Sequence, residues 1–127
     1  MHRVPSESRY APVIGFSTAV RSGDFVFVAG ISAINAAGEA VGGDDPYAQA
    51  IECFAKIGDA LAGCGASLDT VVHSRMYLVD AAHWEAVGRA HGETFGDARP
   101  AATMVVVKAL LDPRMLVEIE VVAAIER

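Results

Sequence analysis

Two carboxylates lie two residues apart near the end of the chain, in the run Leu116-Val117-Glu118-Ile119-Glu120-Val121-Val122. The rest of that run is apolar and mostly β-branched, which predicts a strand. Side chains alternate across a strand, so Glu118 and Glu120 share one face while Ile119, Val121 and Ala123 take the other. Two readings of the pair stay open. In an antiparallel sheet with one wet face, polar residues alternate with apolar ones as a matter of course. If a second subunit covers that face, a carboxylate there loses its water, its pKa rises, and it can trade protons near neutral pH. A second polar face lies mid-chain, where His73 and Arg75 share a predicted strand face with Tyr77 and Val79. It reads either as a solvated, ion-paired face or as an anion site, with Arg75 pairing with Glu118 or Glu120.

The other chemistry-bearing residues are less suggestive. His91 falls on the apolar stripe of a predicted helix, where a hydrogen-bonded core histidine is expected; His2 and His83 read as terminus and surface. No His, Cys, Asp or Glu spacing matches a metal site. There is no strand–turn–helix serine motif and no glycine-rich phosphate loop followed by Lys. Cys53 and Cys64 are the only cysteines and read as small buried or loop thiols, with neither a disulfide framework nor a zinc motif around them.

The elements that must position these residues follow from pattern. Ile14 to Val20 reads as a short strand and Phe25 to Ile31 as a buried one, joined by the turn Arg21-Ser22-Gly23-Asp24 into a hairpin. Asn35 to Gly43 is a loop rich in Gly and Ala. Asp44-Asp45-Pro46 starts a helix, with a capping Asp and a Pro whose missing N–H costs nothing in the first turn. Ile51, Phe54, Ile57 and Leu61 then recur at helical spacing, and Gly63 and Gly65 end the run. Thr70 to Val79 is a third strand. Asp80 can cap a second helix carrying Trp84, Val87, His91 and Phe95 on one stripe. Strands at about 101–108 and 115–125 flank the turn from Leu111 to Arg114. The order β-β-α-β-α-β-β, with a hairpin at each end, predicts an α+β fold: a mixed sheet with two helices on one face.

Composition sets bounds. The 127 residues fit a single domain, 1–127, with one core. Apolar residues make up 53% and charged residues only 20%, rich for so small a domain, so burial of the helix-free sheet face between subunits is expected. The net charge is −6 and the only lysines are Lys56 and Lys108. Without a basic cluster to neutralise phosphates, nucleic acid is not an expected partner. The segment from Met1 to Glu7 lacks the apolar core of a signal peptide, and no apolar run reaches the ~18 residues of a membrane span. The expectation is a soluble, cytoplasmic protein with no membrane partner.

From about Ile14 to Ile125 the chain resembles the Rid family of reactive intermediate deaminases, also called YjgF or L-PSP proteins. The resemblance is carried by Phe16-Ser17-Thr18-Ala19-Val20, by Gly23-Asp24-Phe25-Val26-Phe27-Val28-Ala29-Gly30, by Gly65 to Val72, by Tyr77-Leu78-Val79-Asp80, by Arg99-Pro100-Ala101-Ala102-Thr103-Met104, and by Leu116 to Glu120. It implies a chorismate-mutase-like, YjgF-type α+β fold and a homotrimer whose clefts between subunits hold a small molecule. It also implies cofactor-independent hydrolysis of imines and enamines to oxo compounds and ammonia. An arginine of the Pro-Ala-Arg motif would grip the substrate carboxylate, and a glutamate on the last strand would position water or shuttle protons.

Glu118 matches that glutamate. The other matching positions, implied to bind substrate, are Phe16, Gly30, Ile31, Gly88, Ala102 and Met104. Several depart from the family pattern: Ala102 replaces the arginine, Met104 a frequent Cys, Phe16 a common Tyr and Gly88 an Asn. A charge-assisted bidentate contact is worth roughly 2–3 kcal/mol, so its loss argues against tight binding of simple 2-imino acids. Arg99, three residues before Ala102, is expected to point to the opposite strand face. Arg75 becomes the substitute cation if its face lines the cleft. The resemblance therefore leaves two functions open: an imine or enamine deaminase acting through Glu118 on a substrate other than simple 2-imino acids, or a non-catalytic, small-molecule-binding or regulatory trimer. It implies no cofactor and no metal.

Overall fold

The structure, a computed structural model, describes residues 1–126. Six strands form one sheet: β1 (His2–Pro5), β2 (Ser17–Ser22), β3 (Phe25–Ile31), β4 (Val71–Leu78), β5 (Ala101–Val106) and β6 (Val117–Ala124). Their spatial order is β1-β2-β3-β6-β4-β5, antiparallel throughout except for the β4–β5 pair. Two long helices, α2 (Pro46–Ala62) and α3 (Trp84–Phe95), pack on one sheet face; α1 (Ala11–Ile14) is a single turn.

Helix α2 begins as the sequence pattern requires, whereas Ile51 and Trp84, which the spacing puts on the apolar stripes, are 37% and 59% exposed. The Asp45 carboxylate accepts from the amides of Tyr47 (3.0 Å) and Ala48 (3.3 Å), satisfying donors that the first turn leaves open. The buried stripe of α2 is Gln49, Ala50, Cys53, Phe54, Ile57, Ala60 and Leu61. It packs on β3 and β6 in one core cluster that takes in Val26 and Val28 of β3, Met76 and Leu78 of β4, and Val117, Ile119, Val121 and Ala123 of β6. Val87, Ala90 and Phe95 of α3 complete this core. Beneath α3 the buried Ser74 hydroxyl lies 2.7 Å from His91 Nε2, and the imidazole meets the rings of Phe54 and Phe95. His91 is thus the hydrogen-bonded histidine expected, with burial holding its pKa below the usual histidine value.

The other sheet face carries no helix. Phe25 and Phe27 of β3 and Val105 of β5 keep 47%, 49% and 42% of their surface exposed. Apolar side chains of that size on one open face match the expectation of an uncovered sheet.

Several details differ from the sequence reading. The last two strands do not form a hairpin: β6 inserts between β3 and β4, while β5 pairs in parallel with β4 at the sheet edge. A ten-residue connection gives the chain room to cross β4, and local pattern does not record which neighbour a strand chooses. The strand placed at Ile14 starts at Ser17, because Pro12 opens the α1 turn and Gly15, at φ +81°, ends it. Asp80 caps a 3-10 turn (Ala81–His83) through the Ala82 amide, and α3 follows from Trp84. β4 starts one residue late, after a 3-10 turn at Leu68–Thr70. His83, read as a surface residue, is half-buried, and its Nδ1 is enclosed without a partner among the described residues. β1, paired with β2 at the sheet edge, carries no sequence pattern of its own.

Candidate functional site

Glu118 owes its position to a defect in the sheet. Between β3 and β6 the register slips by one residue, with Val28 opposite Val121 but Ile31 opposite Ile119. The extra residue makes a β-bulge at Ala29-Gly30, the kind of irregularity that re-aims a side chain. Gly30 is required there for its lack of a side chain. A Cβ would stand 3.0 Å from Cδ and 3.2 Å from Cγ of Glu118, and closer still to Oε1. The carboxylate therefore occupies the space that any other residue at position 30 would fill. It is half-buried, and no described residue donates a hydrogen bond to it. Desolvation, with a smaller contribution from Glu120, pushes its pKa above the usual glutamate value.

Glu120 has a different environment. It shares the open sheet face with Glu118, as the alternating burial of β6 shows, but it is tied down. Arg75, opposite it on β4, brings Nε to 3.2 Å, and the Tyr77 hydroxyl donates to the same carboxylate oxygen. That bond and the loss of water push the Tyr77 pKa up. The two carboxylates are therefore inequivalent, one ion-paired and one left to its cleft.

The cleft around Glu118 has a volume of about 800 Å³. Its walls are the N-terminal segment with Arg9, Tyr10 and Phe16, the end of β3 with Gly30 and Ile31, the loop through Ser32 and Ile34, Lys56 on α2, and Leu111 to Met115 ahead of β6. Gln49, fully buried, ties two of these walls together. Its side-chain amide donates to the carbonyls of Gly43 (2.7 Å) and Arg114 (2.9 Å) and accepts from the Leu116 amide (2.9 Å). Arg114 grips Asp112 through Nε and a terminal nitrogen and donates to the Gly38 carbonyl at 2.8 Å. Hydrogen bonds from Arg114 hold the Asp112 carboxyl well below the usual range.

Of the residues singled out in the sequence, the structure brings Phe16, Gly30, Ile31 and Glu118 together in this cleft. Arg75 lies on the open face with Glu120, outside the cleft lining. Ala102 and Met104 pair in register with Ser74 and Met76, the helix-side residues of β4, so they are on the opposite sheet face from Glu118. Gly88 is on α3 with open space around its Cα. Arg99 precedes β5 and holds a left-handed φ of +46°, so the strand alternation used for it does not apply. Tyr10, Lys56 and Arg114 are cleft residues that motif reading passed over. Lys56 was traceable, because it adjoins the apolar stripe of α2 between Cys53 and Ala60. Among the described residues no cluster of His, Cys, Asp or Glu is arranged to hold a metal ion, and no helix is long and apolar enough to cross a membrane.

Comparison with known proteins places this geometry. The family model described as Endoribonuclease L-PSP matches residues 6–125. The protein SCO2049 of Streptomyces coelicolor is 39% identical over 97% of this chain and 91% of its own length. The 3-aminoacrylate deaminase RutC of Acinetobacter baylyi is 30% identical over 88% of each chain. Among solved structures, Rv2704 of Mycobacterium tuberculosis, a member of the YjgF/YER057c/UK114 family, superposes with a TM-score of 0.87 at 40% identity, over 97% of this chain and 98% of that one. The α+β fold with a mixed six-stranded sheet is that of the YjgF proteins, and the chain belongs to the L-PSP (YjgF/RutC) family.

Proposed function

We propose that the protein is a cofactor-independent deaminase that hydrolyses a reactive imine or enamine to an oxo compound and ammonia, with Glu118 as its proton carrier. The observation that carries this reading is the half-buried, unbonded Glu118 carboxylate set against Gly30 in a cleft to which Phe16 and Ile31 contribute apolar wall. Such a carboxyl holds a proton at higher pH than a solvated one and can release it again. In its protonated form it donates to the imine nitrogen, or to the β-carbon of the enamine, and either transfer gives an iminium ion beside the Glu118 carboxylate. That leaves the substrate carbon more electrophilic. As a carboxylate it then takes a proton from the attacking water to give a carbinolamine; it passes that proton to the amino group and takes one from the new hydroxyl as the C–N bond breaks, so that the oxo compound and ammonia leave and Glu118 ends protonated as it began. Phe16 and Ile31 thin the water around the reacting carbon, which strengthens the electrostatics of the proton transfers. The likeness to a 3-aminoacrylate deaminase supports the reaction class, and the size of the cleft suits a substrate larger than the simplest 2-imino acids.

The reading includes a cytoplasmic homotrimer of single-domain subunits, 1–127, with each cleft closed by a neighbouring copy. The open sheet face with Phe25, Phe27 and Val105 favours such burial, and Ala102 and Met104 would reach a cleft only from another copy. A second reading, a non-catalytic small-molecule-binding or regulatory trimer, is favoured by one observation: Ala102 stands at the position to which the family resemblance assigns a carboxylate-gripping arginine.

Imine hydrolysis decides between them. Imines generated by an amino-acid oxidase from a panel of amino acids are offered to the protein in competition with semicarbazide. The expected result is acceleration by the wild type and loss of at least about 10² in rate with Glu118→Gln. No acceleration on any imine, with the oligomer intact by light scattering, would move the protein to the binding reading.

A further inference from the structure

The cleft contains three cationic side chains, and they are not equivalent. Arg114 is neutralised by the two oxygens of Asp112. Arg9 is exposed, its guanidinium 4.8 Å above the Tyr10 ring and donating to the Tyr10 hydroxyl at 2.9 Å, so water screens it. Lys56 is half-buried on α2. Its ammonium donates to the carbonyls of Ser32 at 2.6 Å and Ile34 at 2.9 Å. Among the described residues the ion pairs are Arg75–Glu120 and Arg114–Asp112, so Lys56 has no carboxylate within pairing distance.

An ammonium has three donors. Two are aligned on fixed carbonyls of the loop after β3, which orients the group and leaves the third for a ligand. Carbonyl dipoles solvate a cation without cancelling its charge, so the half-buried ammonium keeps its positive charge in a cleft that also holds Glu7, Asp59 and Glu118, none of them within pairing distance of it. The chemical complement of that arrangement is an anion. Neither position 102, which holds Ala, nor Arg75, engaged by Glu120 outside the cleft, offers a cation for that role.

We propose that Lys56 is the anion-binding group of this cleft, holding the carboxylate of an imine or enamine acid from the α2 wall while Glu118 works on its reacting carbon from β6. The choice of ligand rests on the deaminase reading; the anion site itself rests on the placement of Lys56. A lysine is a point charge rather than a bidentate fork, so it fixes the carboxylate less rigidly than an arginine would and tolerates variation in the body of the substrate.

The test uses the full chain, with the oxo acid of leucine and its uncharged amide as probes, titrated by NMR chemical shift. Lys56→Gln keeps amide donors for the two loop carbonyls and removes the charge; Lys56→Arg keeps the charge. The expected result is that wild type prefers the acid over the amide. Lys56→Gln should weaken acid binding roughly 10-fold to 100-fold and leave the amide unchanged, and Lys56→Arg should recover most of the loss. In turnover of the leucine-derived imine, Lys56→Gln should raise KM more than it lowers kcat. Equal acid affinity in wild type and Lys56→Gln, or no preference for acid over amide in the wild type, would overturn the assignment. Acid binding that depends on Lys56 without turnover of any imine would sustain the anion site and sink the deaminase. Turnover that ignores Lys56 would do the reverse. Melting curves of both variants show whether a loss reflects misfolding, and Lys56→Arg separates charge from loop support.

Discussion

Gly30→Ala isolates the position of the Glu118 carboxylate from every other property of the site. The added methyl would lie 3.0 Å from Cδ and 3.2 Å from Cγ of Glu118, against ordinary contacts of 3.4 Å or more. The carboxyl oxygen is nearer still, so the carboxylate must swing aside by on the order of 1 Å, a displacement that costs about 10² in rate when the displaced group takes part in the chemistry. Stability responds differently. The clash is with the end of a flexible side chain, and Gly30 is not among the glycines held at positive φ, so alanine fits its backbone. Loss of the glycine's freedom in the unfolded chain returns about 0.4–1 kcal/mol, leaving a net change near zero. The assay is the semicarbazide competition with the wild type, Gly30→Ala, Glu118→Gln and the double variant, alongside thermal melts. Gly30→Ala should melt near the wild type and lose about two orders of magnitude in rate, and adding it to Glu118→Gln should cost little more, because both act through one group. A Gly30→Ala protein with full activity beside an inactive Glu118→Gln would show that the position of the carboxylate is not critical. A loss of several kcal/mol in stability that truncation of Glu118 does not relieve would show that the glycine serves the sheet instead.

Two further outcomes follow from the same structure. The folded pKa of Glu118 is raised, so the folded state binds a proton more tightly than the unfolded chain; stability from this group is present below the unfolded value of about 4.3 and is lost as pH rises through the folded value. Glu118→Gln should therefore be more stable than the wild type at pH 7–8, with the gap closing toward about pH 4, as urea titrations across that range would show; a gap that does not depend on pH would contradict the desolvation of Glu118. Gln49→Leu keeps the bulk of a fully buried side chain but leaves two carbonyls and the Leu116 amide unpaired. At roughly 1–3 kcal/mol for each unsatisfied group, a loss of about 3 kcal/mol or more is expected in urea titration, and a change under about 1 kcal/mol would refute the tie between the cleft walls.

What the sequence determined by itself was whatever depends on near neighbours along the chain. Alternation assigned Glu118 and Glu120 to one face of β6 and Ile119 and Val121 to the core, because a strand's side chains alternate whatever it pairs with. Asp45, Pro46 and the spacing of Ile51, Phe54, Ile57 and Leu61 placed α2 for the same local reason, although Ile51 lies outside the buried stripe. The family resemblance also pointed to Phe16, Gly30, Ile31 and Glu118, which the fold gathers in one cleft. Pairing was a different matter. Only the tertiary structure placed β6 between β3 and β4, and only the resulting register puts a bulge beside Gly30 and seats the carboxylate against it. The same long-range choices set Arg75 and Tyr77 against Glu120 rather than Glu118, left Ala102 and Met104 on the far face, and brought Lys56 from a helix into the cleft. These are contacts between residues tens of positions apart. They are selected by packing and by the closing of hydrogen-bond ladders, so the inequivalence of the two carboxylates is a property of the sheet rather than of the segment that carries them.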